Sequence, residues 1–266
     1  MDVDQIKQQA REGWGKGEYS WLSELLRPAA LALCDACAVS AGQEVLDAAA
    51  GDGNFAIACA DEGASVVACD IAPGMVEKGR ARAQAGGYEI EWVEADVEDL
   101  SFDAGRFECV GSVFGAMLAP RPRLAAEQMF RVTRPGNTVG MTAWTSYGPT
   151  YDMIKVGREH SPPQEDQPRI EEWSDRDTVA KRFDGLANSL EIEEATVPWS
   201  ADSPEQFVAL MERHSPMNVV AKEKMPSDAY ARMREDYVAL ARDWAGGDGP
   251  FTIDASYVLI VARRRG

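Results

Sequence analysis

Apolar residues recur every three to four positions early in the chain, at Trp21, Leu22, Leu25, Leu26, Leu31 and Leu33, a spacing that predicts helix from Asp2 to about Val39. From Gln43 the period changes. Short apolar runs at Glu44–Ala49, Ser65–Asp70, Glu89–Val93, Glu108–Val113 and Asn137–Ala143 predict strands, and the stretches Asn54–Glu62, Gly74–Ala85 and Arg123–Val132 between them predict helices. Gly63, Gly86 with Gly87, and Pro135 with Gly136 supply the stops. Such alternation predicts an α/β fold, a mostly parallel sheet with helices on both faces. Beyond Trp144 the pattern loosens: Pro149, Pro162, Pro163 and Pro168 interrupt a polar segment, read as an inserted lid over about 146–188. A strand at Leu190–Trp199, helices at Pro204–His214 and Ser227–Trp244, and a last strand at Ser256–Ala262 follow. The expected sheet therefore has seven strands, with a second helical insertion over about 200–253 between the last two. Residues 1–40 are expected to form a helical cap on a domain running from 41 to 266.

Charge narrows the partners. Among 266 residues, 27 Lys and Arg stand against 44 Asp and Glu, a net charge of −17 at pH 7. A surface of that sign repels a phosphate backbone, so no nucleic acid is expected as a partner. Arg263, Arg264 and Arg265 form a short basic run at the end, read as a solvated tail. The N-terminal stretch is polar, and no run approaches the ~20 apolar residues of a membrane span. The expectation is a soluble cytoplasmic protein, monomer or homodimer, with no membrane partner. Cys34, Cys37, Cys59, Cys69 and Cys109 lie in small-residue or strand-like apolar runs, as free core thiols do in a reducing compartment. Cys34 and Cys37 make a CxxC, but there is no second one and the chain has two histidines, His160 and His214, so no metal site is expected.

The chemistry concentrates in three places. In Glu44-Val-Leu-Asp-Ala-Ala-Ala-Gly-Asp-Gly-Asn54 an apolar strand runs into a turn of small residues and then a helix, where Gly51 and Gly53 let backbone approach a ligand. Asp70 ends the second strand nineteen residues after Gly51, where doubly wound nucleotide binders place a carboxylate that accepts both ribose hydroxyls. Asp96 follows the third strand, positioned to accept from an exocyclic adenine amine while Val97 covers a ring face. Singly, these residues read as turn, cap and solvated loop. Together and in order they converge on the carboxyl edge of the sheet, where ligands of this architecture sit.

A dinucleotide is a rival ligand. Gly51-Asp-Gly-Asn-Phe-Ala56 satisfies G-x-G-x-x-A, and Tyr151 with Lys155 has the Tyr-x-x-x-Lys spacing of short-chain dehydrogenases, so an NAD(P)-dependent oxidoreductase stays open as an alternative. A pyrophosphate on this turn would meet Asp47 and Asp52, however, and like charge in a half-buried site costs more than a helix dipole returns. A ligand bearing a sulfonium and an ammonium has the opposite preference. Tyr151 and Lys155 are expected in the Pro-interrupted segment, not on a long regular helix.

Taken together, these residues resemble the class I S-adenosylmethionine-dependent methyltransferases. Val45-Leu-Asp-Ala-Ala-Ala-Gly-Asp-Gly53 is similar to the family's first motif, Ala68-Cys-Asp-Ile-Ala-Pro-Gly-Met75 to its second, and Ala95-Asp-Val97 to its adenine-contacting segment. The run Phe107 to Pro120 resembles the fourth-strand motif, and Arg131-Val-Thr-Arg-Pro-Gly136 the turn before the fifth strand. Looser similarity, from Trp14-Gly-Lys-Gly-Glu-Tyr19 and the tail after Trp144, is to bacterial small-molecule methyltransferases of natural-product pathways. The resemblance implies a Rossmann-like fold, S-adenosyl-L-methionine as cofactor with S-adenosyl-L-homocysteine as product, and methyl transfer to an O, N or C atom of a small molecule in secondary metabolism. A homologue that binds the cofactor but catalyses another step, such as a cyclisation, has the same signature. Implied cofactor contacts are Trp14, Tyr19, Asp47, Ala49, Gly51, Gly53, Asp70, Ile71, Met75, Asp96, Val97, Ser112 and Met117. Three positions depart from the pattern: Ala49 stands where the first glycine is usual, Asp52 where threonine is usual, and Glu108 where aspartate is usual. Alanine is tolerated at a turn with negative φ, and Asp52 is expected to make the pocket more acidic. His214, in Glu212-Arg-His-Ser-Pro216, is the candidate general base, because the region resembles the family's substrate-facing lid. Trp14, Tyr19, Trp144, Tyr147 and Trp199 are candidates for an aromatic acceptor pocket, with Trp14 and Tyr19 expected to touch the cofactor.

Overall fold

A computed structural model describes residues 2–161 and 169–266. Pro162, Pro163 and Pro168, three of the prolines read as interrupting the first insertion, lie outside the described residues. The chain opens with α1 (Val3–Gly13) and α2 (Ser20–Cys37), two helices where the sequence suggests one. The break falls at Trp14 to Tyr19, a stretch with two glycines that a helix would expose. Helix α2 buries Leu26, Ala29, Ala30, Leu33, Cys34 and Cys37, the stripe that its spacing predicts.

Then come β1 (Glu44–Ala48), α3 (Asn54–Asp61), β2 (Ser65–Asp70), α4 (Pro73–Gly86), β3 (Ile90–Glu94), β4 (Phe107–Val113), a 3-10 turn (Ala116–Leu118), α5 (Pro122–Val132) and β5 (Thr133–Trp144). The rest comprises α6 (Pro149–Glu159), a second 3-10 turn (Ile170–Ser174), α7 (Arg176–Phe183), β6 (Ala187–Ala201), α8 (Pro204–His214), α9 (Pro216–Lys224), α10 (Ser227–Ala245) and β7 (Phe251–Arg264). The seven strands lie in the order β3-β2-β1-β4-β5-β7-β6. The first five are parallel, and β7 enters antiparallel between β5 and β6. This is the Rossmann-like methyltransferase fold.

Strand order reverses between β1 and β4. The chain builds outward from β1 to β3 and returns to place β4 on the other side, so the loops leaving both strands part at the carboxyl edge and open a crevice there. Beneath it the core is continuous, with Leu46, Phe55, Val110 and Phe107 almost fully buried, and all five cysteines are buried and free.

Several expectations need correction. Pro149 starts a helix instead of interrupting one: at the first helical position proline gives up only an N–H that has no intrahelical partner, and α4, α5, α6, α8 and α9 all begin this way. Tyr151 and Lys155 therefore sit on a regular helix, α6. The strands β6 and β7 run longer than their apolar centres, because they pair with each other from Ala187 with Arg264 to Ala201 with Phe251, and ladder hydrogen bonds hold polar residues as well as apolar ones. That pairing also ties down the expected solvated tail. Arg263 donates to Thr138 Oγ1 at 2.5 Å and Arg264 to the Arg131 carbonyl at 3.1 Å.

Candidate active site at the carboxyl edge

The turn after β1 is built on left-handed backbone. Gly51 (φ 59°) and Gly53 (φ 89°) adopt it freely, and Ala49 adopts it too, at φ 53°. The negative φ expected for Ala49 is thus overturned: the tight turn dictates the conformation, and alanine bears the strain that the family's glycine avoids. Gly115, after β4, packs so closely here that a Cβ on it would lie 2.2 Å from the Ala49 carbonyl oxygen. Asp47, on β1, accepts the Ala56 N–H at 2.9 Å, pinning the first turn of α3 to the strand. Its second oxygen is buried without a partner, and burial pushes the carboxyl up to about 8. Such an orphaned acceptor fits a cationic ligand.

Asp70 ends β2 and ties its loop to the turn after β1. Its two oxygens accept the N–H groups of Gly51 and Ala72, each at 2.9 Å, and burial, opposed by these bonds, pushes it up to about 6. Ile71 follows, and Met75 is buried in the first turn of α4. In the third loop Asp96 accepts the Glu98 N–H at 2.9 Å beside buried Val97. At the end of β4, Ser112 is buried and accepts the Ala116 N–H at 2.8 Å, with Met117 buried in the same turn.

The N-terminal segment lies across all three loops. Lys7 pairs with Asp96 at 2.6 Å, Gly15 packs on Gly74 at the start of α4, and Lys78 bonds the Gly15 carbonyl. Trp14 is half-buried in the same span. The Tyr19 hydroxyl lies 3.7 Å from where a Gly51 Cβ would stand, and burial together with Asp52 and Asp70 pushes the phenol pKa upward. His214 closes the arrangement from the lid. It is buried at the end of α8 with its ring centroid 5.7 Å from that of Trp21, and the preceding carbonyl, of Arg213, accepts the Glu18 N–H at 3.4 Å. Its Nδ1 is buried without a partner, and burial, opposed by Glu18, lowers its pKa.

Asp52 does not serve as expected. It faces Arg82 at 3.2 Å and accepts the Ser23 hydroxyl at 2.8 Å, so its charge is answered within the protein and locks α2 to the turn. Trp144 stacks on Phe114 at 3.9 Å and Trp199 packs edge-on against Trp144, both buried in the core, whereas Tyr147 is exposed and bonds Glu194. His160 pairs with Asp236 at 2.6 Å. Lys155 is exposed and pairs with Asp152 at 2.6 Å, which leaves its ammonium occupied. Sequence reading missed Lys7, Ser23, Arg82 and Glu98, since a lysine or arginine on a polar helix face reads as solvated until the partner, distant in sequence, is known. Among the described residues no three His, Cys, Asp or Glu side chains are grouped to hold a metal, and no helix is long and apolar enough to cross a membrane. A recess of about 360 Å³ between Glu44, Glu91 and Arg106 opens at the opposite, amino edge of the strands and lacks the glycine turn.

Residues 45–136 match the family model described as a methyltransferase domain. An uncharacterized protein of Mycobacterium tuberculosis (strain ATCC 25618 / H37Rv) is 38% identical over 153 residues, which are 57% of this chain and 56% of that protein. A demethylmenaquinone methyltransferase of Clavibacter sepedonicus is 41% identical over 122 residues, 46% of this chain and 49% of that one. The chain thus spans about half the length of the curated relatives it matches. The solved YcgJ protein from Bacillus subtilis shares the fold, with a TM-score of 0.63 at 19% identity over 90% of this chain and 99% of that one.

Proposed function

We propose that the protein transfers the methyl group of S-adenosyl-L-methionine to an O, N or C atom of a small-molecule acceptor in secondary metabolism. The observation that carries this reading is the placement of Asp70 and Asp96 at the ends of adjacent parallel strands, beside the orphaned Asp47 oxygen and under a cap that ends in Tyr19. The cofactor supplies an already activated sulfonium methyl, so the protein's task is chiefly to hold an acceptor atom about 3 Å from it, a proximity effect worth several kcal/mol.

Each residue has a place in that task. Asp70 accepts the ribose hydroxyls while its backbone bonds keep the glycine turn in shape. Asp96 accepts the adenine amine, with Ile71, Met75 and Val97 against the ring. Asp47, Ala49, Gly51 and Gly53 face the charged methionine end, and Ser112 and Met117 border it from β4. Trp14 and Tyr19 exclude water from above. His214 takes the proton of an O–H or N–H acceptor. Its lowered pKa keeps the imidazole neutral, and so able to act as a base, at pH 7. A recess between α8 and α10, lined by Phe207, Met211, Tyr230 and Met233, has a volume of about 10 Å³, room for one water at most, so acceptor entry there requires the lid helices to move.

Thermal unfolding with S-adenosylmethionine, S-adenosylhomocysteine, NAD and NADP tests the reading. A ligand at 100 times its Kd should stabilise the protein by about 2.7 kcal/mol. A rise with the two adenosyl-sulfur compounds alone is expected. A rise with NAD or NADP instead would overturn the proposal, and binding without any methylated product across an acceptor panel would turn it toward a non-methylating reaction.

A further inference from the structure

Lys7 is the most enclosed contact between α1 and the third loop. Its ammonium lies 2.6 Å from Asp96 Oδ2 and 2.6 Å from Glu98 Oε2, and the Glu98 side chain has no exposure at all. Glu98 also accepts from the Arg121 side chain at 2.8 Å and from its backbone N–H at 2.5 Å. Burial by itself would lower the Lys7 pKa, but the bonds from Asp96 and Glu98 outweigh it and the net shift is upward, so the cation is retained. The other ion pair joining α1 to this region, Arg11 with Glu94, is 40% and 48% exposed and contributes little.

Two carboxylates bound to one nitrogen repel each other once that nitrogen is gone. Glu98 keeps Arg121, and its side chain is enclosed. Asp96, 15% exposed, is the one free to respond, by turning to solvent. That change removes the carboxylate as an acceptor. A carboxylate oxygen has two lone pairs, so Asp96 can hold Lys7 and Glu98 N–H and still accept from a further amine.

We propose that Lys7 is a positioning residue of the adenine subsite: by bridging Asp96 and Glu98 it holds the Asp96 carboxylate in place as an acceptor for the exocyclic amine and latches α1 over the base. The inference rests on the cofactor reading above.

The test is calorimetric binding of S-adenosylhomocysteine and of S-inosylhomocysteine, which carries an oxo group in place of the amine, to the full chain, wild type and Lys7→Met. The wild type should prefer the adenosyl compound by about tenfold or more, as sites built to bond an N–H do. Lys7→Met should cut that ratio to about threefold or less, and Lys7→Arg should restore it, which a general loss of packing would not do. Tryptic cleavage within α1, suppressed by S-adenosylhomocysteine in the wild type, should persist with ligand in Lys7→Met. An unchanged ratio, or tighter S-adenosylhomocysteine binding by Lys7→Met, would overturn the proposal, the latter by showing that Lys7 competes for the site. Lys7→Gln serves as the second variant should Lys7→Met fail to fold. Failure of the wild type to bind S-adenosylhomocysteine would instead remove the cofactor reading itself.

Discussion

The two sides of the sheet place their side chains by different rules. From β1 to β4 every strand is parallel, and the acidic, glycine and serine residues proposed for the cofactor stand at or just past the carboxyl end of their own strands: Asp47 and the glycine turn, Asp70, Asp96, then Ser112. Position in the chain is enough to say where such a residue goes. Beyond β5 the sheet turns antiparallel, and His214, the proposed base, comes from α8, one of the helices threaded between β6 and β7. No strand end marks it. The comparison teaches that acidic strand ends follow from topology, while the surroundings of a lid residue depend on how the lid packs.

Substitutions can break or sharpen that contrast, and the largest effect belongs to the parallel side. Asp70→Ala should weaken S-adenosylhomocysteine binding at least 100-fold by calorimetry, since two charge-assisted hydrogen bonds at roughly 1.5–3 kcal/mol each are lost. A change below about threefold would mean that strand ends do not identify the site.

His214→Asn tests the lid. The turnover number for an O–H or N–H acceptor should fall about 100-fold while the Kd for S-adenosylhomocysteine stays put. In the wild type, turnover should fall with acid through a midpoint below the ordinary histidine value of about 6.5. The same lowered pKa means that His214 favours folding above its unfolded value, and that this contribution is lost as pH falls toward the folded one. A midpoint above 6.5 would contradict the buried environment.

Smaller effects follow. Ala49→Gly should raise stability in urea by about 0.5–1 kcal/mol, because it relieves a left-handed alanine that costs about 1–2 kcal/mol and gives back part of that as glycine entropy. Tyr151→Phe should change methyl transfer less than about twofold, since its helix carries an exposed Lys155 already paired with Asp152. A large loss there would revive the oxidoreductase reading.

What could be read from the chain divides along the same line. The strands, the glycine turn, Asp70 and Asp96 were legible because period and spacing are local and parallel topology is regular. Ala49 misled because the tight turn after β1 holds it at positive φ, which the identity of the residue does not reveal. Asp52 misled because its partners, Ser23 and Arg82, sit on two other helices. Pro149 misled because the same residue that breaks a helix interior also begins one.

By itself, then, the sequence determined the element types, the parallel sheet and the order of the acidic strand ends, since these follow from side-chain periodicity and the backbone limits of glycine and proline. Tertiary structure alone decided which charges are free. It bound Asp52 to Arg82, spread Lys7 between Asp96 and Glu98, left one oxygen of Asp47 and one nitrogen of His214 without partners, and folded the N-terminal segment across the crevice. The reason is range: a carboxylate's chemistry depends on neighbours within a few ångströms, and in this chain those neighbours arrive from elements dozens of residues away.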